Sequence, residues 1–410
     1  MTLTIKKRFT LPTAAEIVFD RLPVFFLLIY VTYLFTFNYA LDSIEIVKTI
    51  MSLSVLIFFG VYVIFRIRRL VFDVFEKSFA LFIGACVLSI FFAINPNEAA
   101  YRCVGLIFIF LTTIFIHTYL IKCNKLDEFI FILCFAGIFL AGYNLYFYGP
   151  STYLTTLGSK RIGAEIMNVN TIGKFCSLAA IICFWYTYYK KKIYFIAPML
   201  LCSMIALGVG SRKSVVFLII GCCLLFILKG NARQKIKNVI LMIMVLAAFV
   251  AILQTPIFGR TAERFTQFVF LFTGDAPIDH STALRMEMIK GGFEDFLKSP
   301  LMGVGIDNTH YLARKYIGED LYLHNTFVEL LASVGLIGTL PFYFLRIYPI
   351  VKLVMPVLNH DQTAILIESL LIIYLVLDFG QVSYIGMETY LYTLAGYVKI
   401  AQLEGERRRC

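Results

Sequence analysis

Apolar runs of roughly 17 to 21 residues recur from end to end of this 410-residue chain, each long enough to span about 30 Å of hydrocarbon as a helix. No single soluble core could bury that much apolar surface. Hydrophobic residues are 60% of the sequence and charged residues 15%, against about 25% charged in a typical globular chain. The pattern predicts an all-α, polytopic membrane protein of about twelve transmembrane helices. They are expected near 24–41, 47–65, 76–94, 103–121, 128–147, 170–188, 193–210, 214–228, 238–254, 324–345, 362–379 and 385–401. The last is the least apolar, because it holds Glu388, Thr389 and Lys399.

A net charge of +11 would suit nucleic acid, but its distribution argues against that partner. Basic residues sit in short clusters between apolar runs: Lys6-Lys7-Arg8, Arg66 with Arg68-Arg69, Lys190 to Lys192, Lys229 to Lys237, and Arg407 to Arg409. Threading the helices from a cytoplasmic N-terminus puts every cluster on the cytoplasmic face, as the positive-inside rule requires, and leaves the C-terminus inside too. The N-terminus has no cleavable signal pattern, so the first run is expected to be retained. The ten cysteines lie almost all in or beside apolar segments and none falls in the long loop, so neither a disulfide framework nor a zinc site is expected.

Three blocks result: 1–254 with nine helices and short loops, a large outer loop over 255–323, and 324–410 with three helices and a cytoplasmic tail. A loop of about seventy residues without a job is uncommon. Part of it reads as helical: Ser281 or Thr282 caps a segment whose Leu284, Met288, Ile289, Phe293 and Phe296 share one face. Pro300 stops that segment, and Gly303-Val304-Gly305 reads as a flexible turn. No internal repeat marks an inverted-repeat transporter.

Polar groups at the outer face carry the functional information. Of five histidines, His280, His310 and His324 face outward, and His324 stands where the long loop re-enters the membrane, before Asn325 and Glu329. A neutral imidazole there could take a proton; equally, His324 and Asn325 could simply cap and anchor the next helix. In Gly210-Ser211-Arg212-Lys213 the hairpin is so tight that both cations face outward, which calls for an anionic partner. Guanidinium matches phosphate oxygens bidentately, and Arg161 and Arg285 could converge on the same place. The alternative for each arginine is a lipid headgroup or a local carboxylate. Asn168 and Asn170 either cap a helix or hold a sugar hydroxyl. Glu368 and Asp378 lie within the apolar helix near 362–379, where a structural hydrogen bond is the favoured reading. There is no Walker loop, Rossmann glycine pattern or cytoplasmic DxD-like pair to support nucleotide-driven chemistry.

Taken in order, these features resemble the O-antigen ligase and polymerase superfamily of bacterial membrane glycosyltransferases. The resemblance covers about 155 to 345: Arg161 with Gly163 and Asn168 to Asn170, the Gly210 to Arg212 hairpin, "ALRMEMIKGGFEDFLKSPLMGVGIDN", and "LHNTFVELLASVGLIGTLPFYF". Lys213 departs from the small residue usual after that arginine. The resemblance implies transfer of an undecaprenyl-pyrophosphate-linked oligosaccharide to a sugar hydroxyl at the outer face of the inner (plasma) membrane, with no cofactor, nucleotide or metal. A flippase and a chain-length regulator would be further partners. In that chemistry His324 is the base, Arg212, Arg285 and Arg161 bind the diphosphate, and Asn325, Glu329 and Asn170 support the site or its acceptor. The final motif looks more like polymerases than ligases. A lipid-linked glycan transporter is the competing class, since intramembrane Glu368 and Asp378 would suit one.

Overall fold

The computed structural model describes residues 14–40, 44–151, 153, 162–230, 232–253 and 280–407, and every regular element among them is helical. The helices are α1 (Ala14–Thr36), α2 (Glu45–Tyr62), α3 (Val74–Ser89), α4 (Pro96–Lys122), α5 (Leu126–Tyr148), α6 (Val169–Tyr188), α7 (Ile196–Gly208), α8 (Arg212–Ile227), α9 (Ala232–Leu253), α10 (His280–Lys298), α11 (Thr309–Ile317), α12 (Thr326–Leu358), α13 (Gln362–Leu377) and α14 (Met387–Arg407). Short polar caps start them between apolar runs. Asn95, Asn168, Ser211, Asn325 and Asp361 each accept a hydrogen bond from the first turn of α4, α6, α8, α12 and α13. Each apolar segment expected to be helical is occupied by a helix. Among the described residues, six are long and apolar enough to cross a membrane: Glu45–Ile67, Val74–Phe92, Pro96–Lys122, Leu126–Tyr148, Val169–Tyr188 and Thr326–Leu358. Three shorter apolar helices join them.

The bundle has two distinct ends. At one, Lys399 bridges to Asp361 at 2.7 Å, Gln402 donates to Asn124 at 2.6 Å, and the Trp185 indole donates to the Gln362 carbonyl at 2.7 Å. Lys190, Lys191 and Lys192 lie over aromatic rings there. The other end gathers the turns that open α4, α6, α8, α12 and α14. Between the ends the core is aromatic, with stacked pairs Phe35–Phe175 at 3.9 Å and Phe79–Tyr390 at 4.1 Å. Buried Asp378 is paired with Arg346 and accepts from Ser383 at 2.7 Å, which bears out a structural hydrogen bond for that carboxylate.

Two expectations about the 255–323 loop need correction; its residues 254–279 lie outside the described ones. Gly303-Val304-Gly305 is a fixed wedge. Helix α12 continues past 345 to Leu358, and at Gly335 (φ 60°, ψ −163°) its backbone leaves the helical conformation. The carbonyls of Ala332 and Ser333 would ordinarily accept from the amides of Leu336 and Ile337. Here they accept instead from Val304 and Gly305, each at 2.9 Å, while Leu336 and Ile337 donate to Pro300 (2.9 Å) and Leu301 (3.3 Å). Both broken helical bonds are replaced by the loop, so none of these four backbone groups is left unpaired, a necessity at membrane depth. A Cβ on Gly335 would strike the Leu301 backbone, and one on Gly303 the Ala332–Ser333 backbone.

The contact face of α10 also differs from the one expected. The helix begins at His280, so Ser281 and Thr282 stand inside its first turn. Met288 is buried as expected, but Phe293 is 47% exposed. The contact is made instead by Gly291 against Tyr316 and by Gly292 against Leu323 and Val328. Apolar periodicity is blind to a contact made through glycine.

Candidate functional site

The site grows from the junction into α12. Asn325 Oδ1 caps the helix, accepting from Val328 N–H at 3.1 Å, and its amide donates to the Phe379 carbonyl at 3.5 Å. Glu329, one turn inside, is buried; its Oε2 accepts the Leu323 N–H at 2.8 Å and its Oε1 accepts the Thr309 hydroxyl. Between these two anchors, His324 is held with a left-handed backbone (φ 58°). The cap is thus Asn325 alone. His324 is free of that task and is half-buried, its ring 4.2 Å from that of Tyr322.

Tyr322 in turn lines a polar cavity of about 160 Å³ together with Tyr39, Asn168, Asn170, Lys174, Lys213 and Glu388, among others. Its walls are cross-braced. Lys174 bridges to Glu388 at 2.9 Å, the Tyr39 hydroxyl donates to Glu388 at 2.6 Å, and Ser211 Oγ donates to Asn170 Oδ1 at 2.7 Å. Lys213 donates to the Gly380 carbonyl. Arg285 arrives on α10, on the face that carries Met288 and Gly292 onto Leu323 and Val328, since i, i+3 and i+7 positions align.

The charges that act on the His324 imidazole are both positive. Burial first, and then the charges of Arg285 and Lys213, push its imidazole pKa down to about 4, so it is neutral at neutral pH. Burial raises the Tyr322 phenol, with Arg285 partly opposing. The N-termini of α6, α8 and α12 end around the same region, each adding partial positive charge. Such an arrangement is suited to an anion with a proton acceptor beside it.

Of the residues singled out in the sequence, His324, Asn325, Glu329, Arg285 and Asn170 come to this end of the bundle. Arg212 opens α8 there and is half-buried, but the cavity wall is supplied by its neighbour Lys213. Arg161 lies outside the described residues, as does the side chain of His280. His310 stands apart, 3.4 Å from Glu98. His117 is buried within the bundle against Glu76 at 2.6 Å. Sequence reasoning missed Lys174, Glu388 and Tyr39, whose mutual contacts join positions 214 and 349 residues apart. The only local signal of Lys174 and Glu388 was a charge inside an apolar helix, and Tyr39 gave none.

The hairpin, the Arg285 helix, the wedge and the His324 junction fall in one continuous stretch. Residues 197–343 match the family model described as O-antigen ligase. The match supports the O-antigen polymerase and ligase superfamily, on the segment where the resemblance is carried. With the apolar helices, it marks the chain as a membrane protein. No curated protein matches the chain. Lys213, His324, Asn325 and Glu329 lie inside the O-antigen ligase match, whereas Asn170, Lys174 and Glu388 lie outside it.

Proposed function

We propose that this protein is a surface-polysaccharide polymerase, moving an undecaprenyl-pyrophosphate-linked glycan onto a sugar hydroxyl of a lipid-linked repeat unit. In this reading twelve spans run with both termini in the cytoplasm, and the cationic cavity faces the exterior of the inner membrane. The observation that carries it is the neutral imidazole of His324, under the charges of Arg285 and Lys213 and packed on Tyr322, which lines the braced polar cavity.

The acceptor hydroxyl oxygen attacks the anomeric carbon as the bond from that carbon to the diphosphate oxygen breaks. The electron pair leaves with the diphosphate, and His324 takes the hydroxyl proton. Arg285, Lys213 and Arg212, with Arg161 as the resemblance implies, receive the charge that develops on the leaving group. Preorganised cations in a site of low dielectric contribute several kcal/mol to such a step. A bound diphosphate also offsets the two charges that depress the imidazole, so His324 becomes a stronger base once the donor is in place.

The match to the O-antigen ligase family favours a second reading, a ligase that passes the finished chain to a lipid A–core sugar. One assay separates them. Purified protein is given its lipid-linked repeat unit alone, with His324→Ala alongside. A ladder absent from the variant supports the polymerase. A single transfer that appears only after lipid A–core is added supports the ligase. No product in either case returns the transporter, for which Asp378, already paired with Arg346, gives little support.

A further inference from the structure

A second cavity opens at the same end of the bundle, about 500 Å³ against about 160 Å³ for the cationic one. Tyr33, Phe37, Tyr143 and Phe147 form its aromatic walls and exposed Glu165 its polar rim. Phe37 meets Tyr143 at 5.6 Å and 64°, and Tyr33 at 6.4 Å. One thin partition separates the two cavities. In it, Tyr39 sends its hydroxyl to Glu388 on the cationic side, while Phe37 and Ala40 wall the aromatic groove. An isolated bridge between Ala40 and Met167 ties that partition to the loop carrying Glu165.

Aromatic residues are common at membrane interfaces, where they form belts facing lipid. Here the rings instead meet across a cleft, and among the described residues no Lys, Arg or His lines it. The Glu165 carboxylate repels phosphate, which disfavours a diphosphate or an anionic headgroup. It accepts hydroxyl hydrogens, and the ring faces offer flat apolar surface of the kind a pyranose presents on its C–H side. We infer that this groove binds the glycan portion of the substrate, several sugars long, while its charged end occupies the cationic cavity across the partition. The inference rests on the glycan-transfer reading, and it adds a neutral, hydroxyl-rich subsite that the reading does not require.

The probe is the repeat-unit oligosaccharide released by mild acid from the host cell's own surface polysaccharide, titrated into full-length protein in nanodiscs. Inorganic pyrophosphate is the control ligand for the cationic cavity. Wild-type protein is expected to bind the oligosaccharide. Glu165→Gln and Tyr143→Leu should each weaken it roughly tenfold and leave pyrophosphate binding unchanged. Equal oligosaccharide affinity in wild type and both variants overturns the inference, as does wild-type protein that binds none. Loss of co-purified phospholipid from Tyr143→Leu, with oligosaccharide binding intact, would reassign the groove to lipid. If wild type binds the oligosaccharide in this groove yet transfers no glycan, the transfer reading fails and the groove stands.

Discussion

The backbone amide of Leu323 and the carboxylate of Glu329 are joined at 2.8 Å across the junction into α12, and His324 is suspended between them. The loop's last turn is therefore fixed from inside the helix it precedes. Glu329→Ala would leave the Leu323 amide and the Thr309 hydroxyl buried without acceptors, at a cost of about 1–3 kcal/mol each. Glu329→Gln, which keeps one acceptor oxygen, is expected to fold while losing on the order of a hundredfold in glycan transfer through a misplaced His324. A ladder assay at matched protein levels checks this; wild-type output from Glu329→Gln would refute the positioning role.

Replacing His324 itself removes the proton acceptor. His324→Ala should lower product formation by roughly 10²–10⁴ without lowering the thermal stability of the purified protein. Pyrophosphate should still bind, because the cations remain. Full glycan assembly in cells by this variant would sink the mechanism.

The pH dependence follows from the depressed imidazole. His324 is protonated only as the pH falls toward about 4, so kcat/KM should hold from neutrality down to that region and then decline. The unfolded chain binds this proton from about pH 6.5 downward, so this group's contribution to stability also falls between about 6.5 and 4. Arg285→Gln and Lys213→Met each remove one cause of the depression and should move the acid limb to higher pH. An acid limb that stays put in both variants would mean that some other group controls it.

Across the break in α12, Gly335 faces the Leu301–Met302 backbone and Gly303 the Ala332–Ser333 backbone, and both have positive φ. Gly335→Ala and Gly303→Ala should each reduce the yield of folded, monodisperse protein, because a Cβ at either position meets main chain that has no room to move. Gly318→Ala shares the positive φ but has open space, so it should be milder. Size-exclusion profiles of the three detergent-solubilised variants test the ranking.

Much of this was legible in the sequence because membrane helices announce themselves by composition alone. His324 could be found because a loop must re-enter the membrane somewhere, and a polar pair at that point is conspicuous. Lys213 was visible as an oddity, but its role depends on Gly380 and Tyr322, which reach it only through folding. Lys174 and Glu388 sit on two different helices and Tyr39 in the turn after α1, so no spacing rule joins them. The break at Gly335 was hidden because Gly335-Leu336-Ile337-Gly338 reads as uninterrupted apolar helix; only the loop that fills the gap reveals it.

That exchange of partners at Gly335 sets where the chain tolerates change in length. Residues 300–305 supply the amides and carbonyls that complete α12, one for one, so a single added or deleted residue there would slip every pairing. The exposed turn at 318–320, beyond α11, carries no such obligation. Proteins built on the same plan should therefore vary in loop length near that turn while keeping the six-residue wedge intact, and an epitope tag would be tolerated after Gly318 where the same tag after Met302 would not.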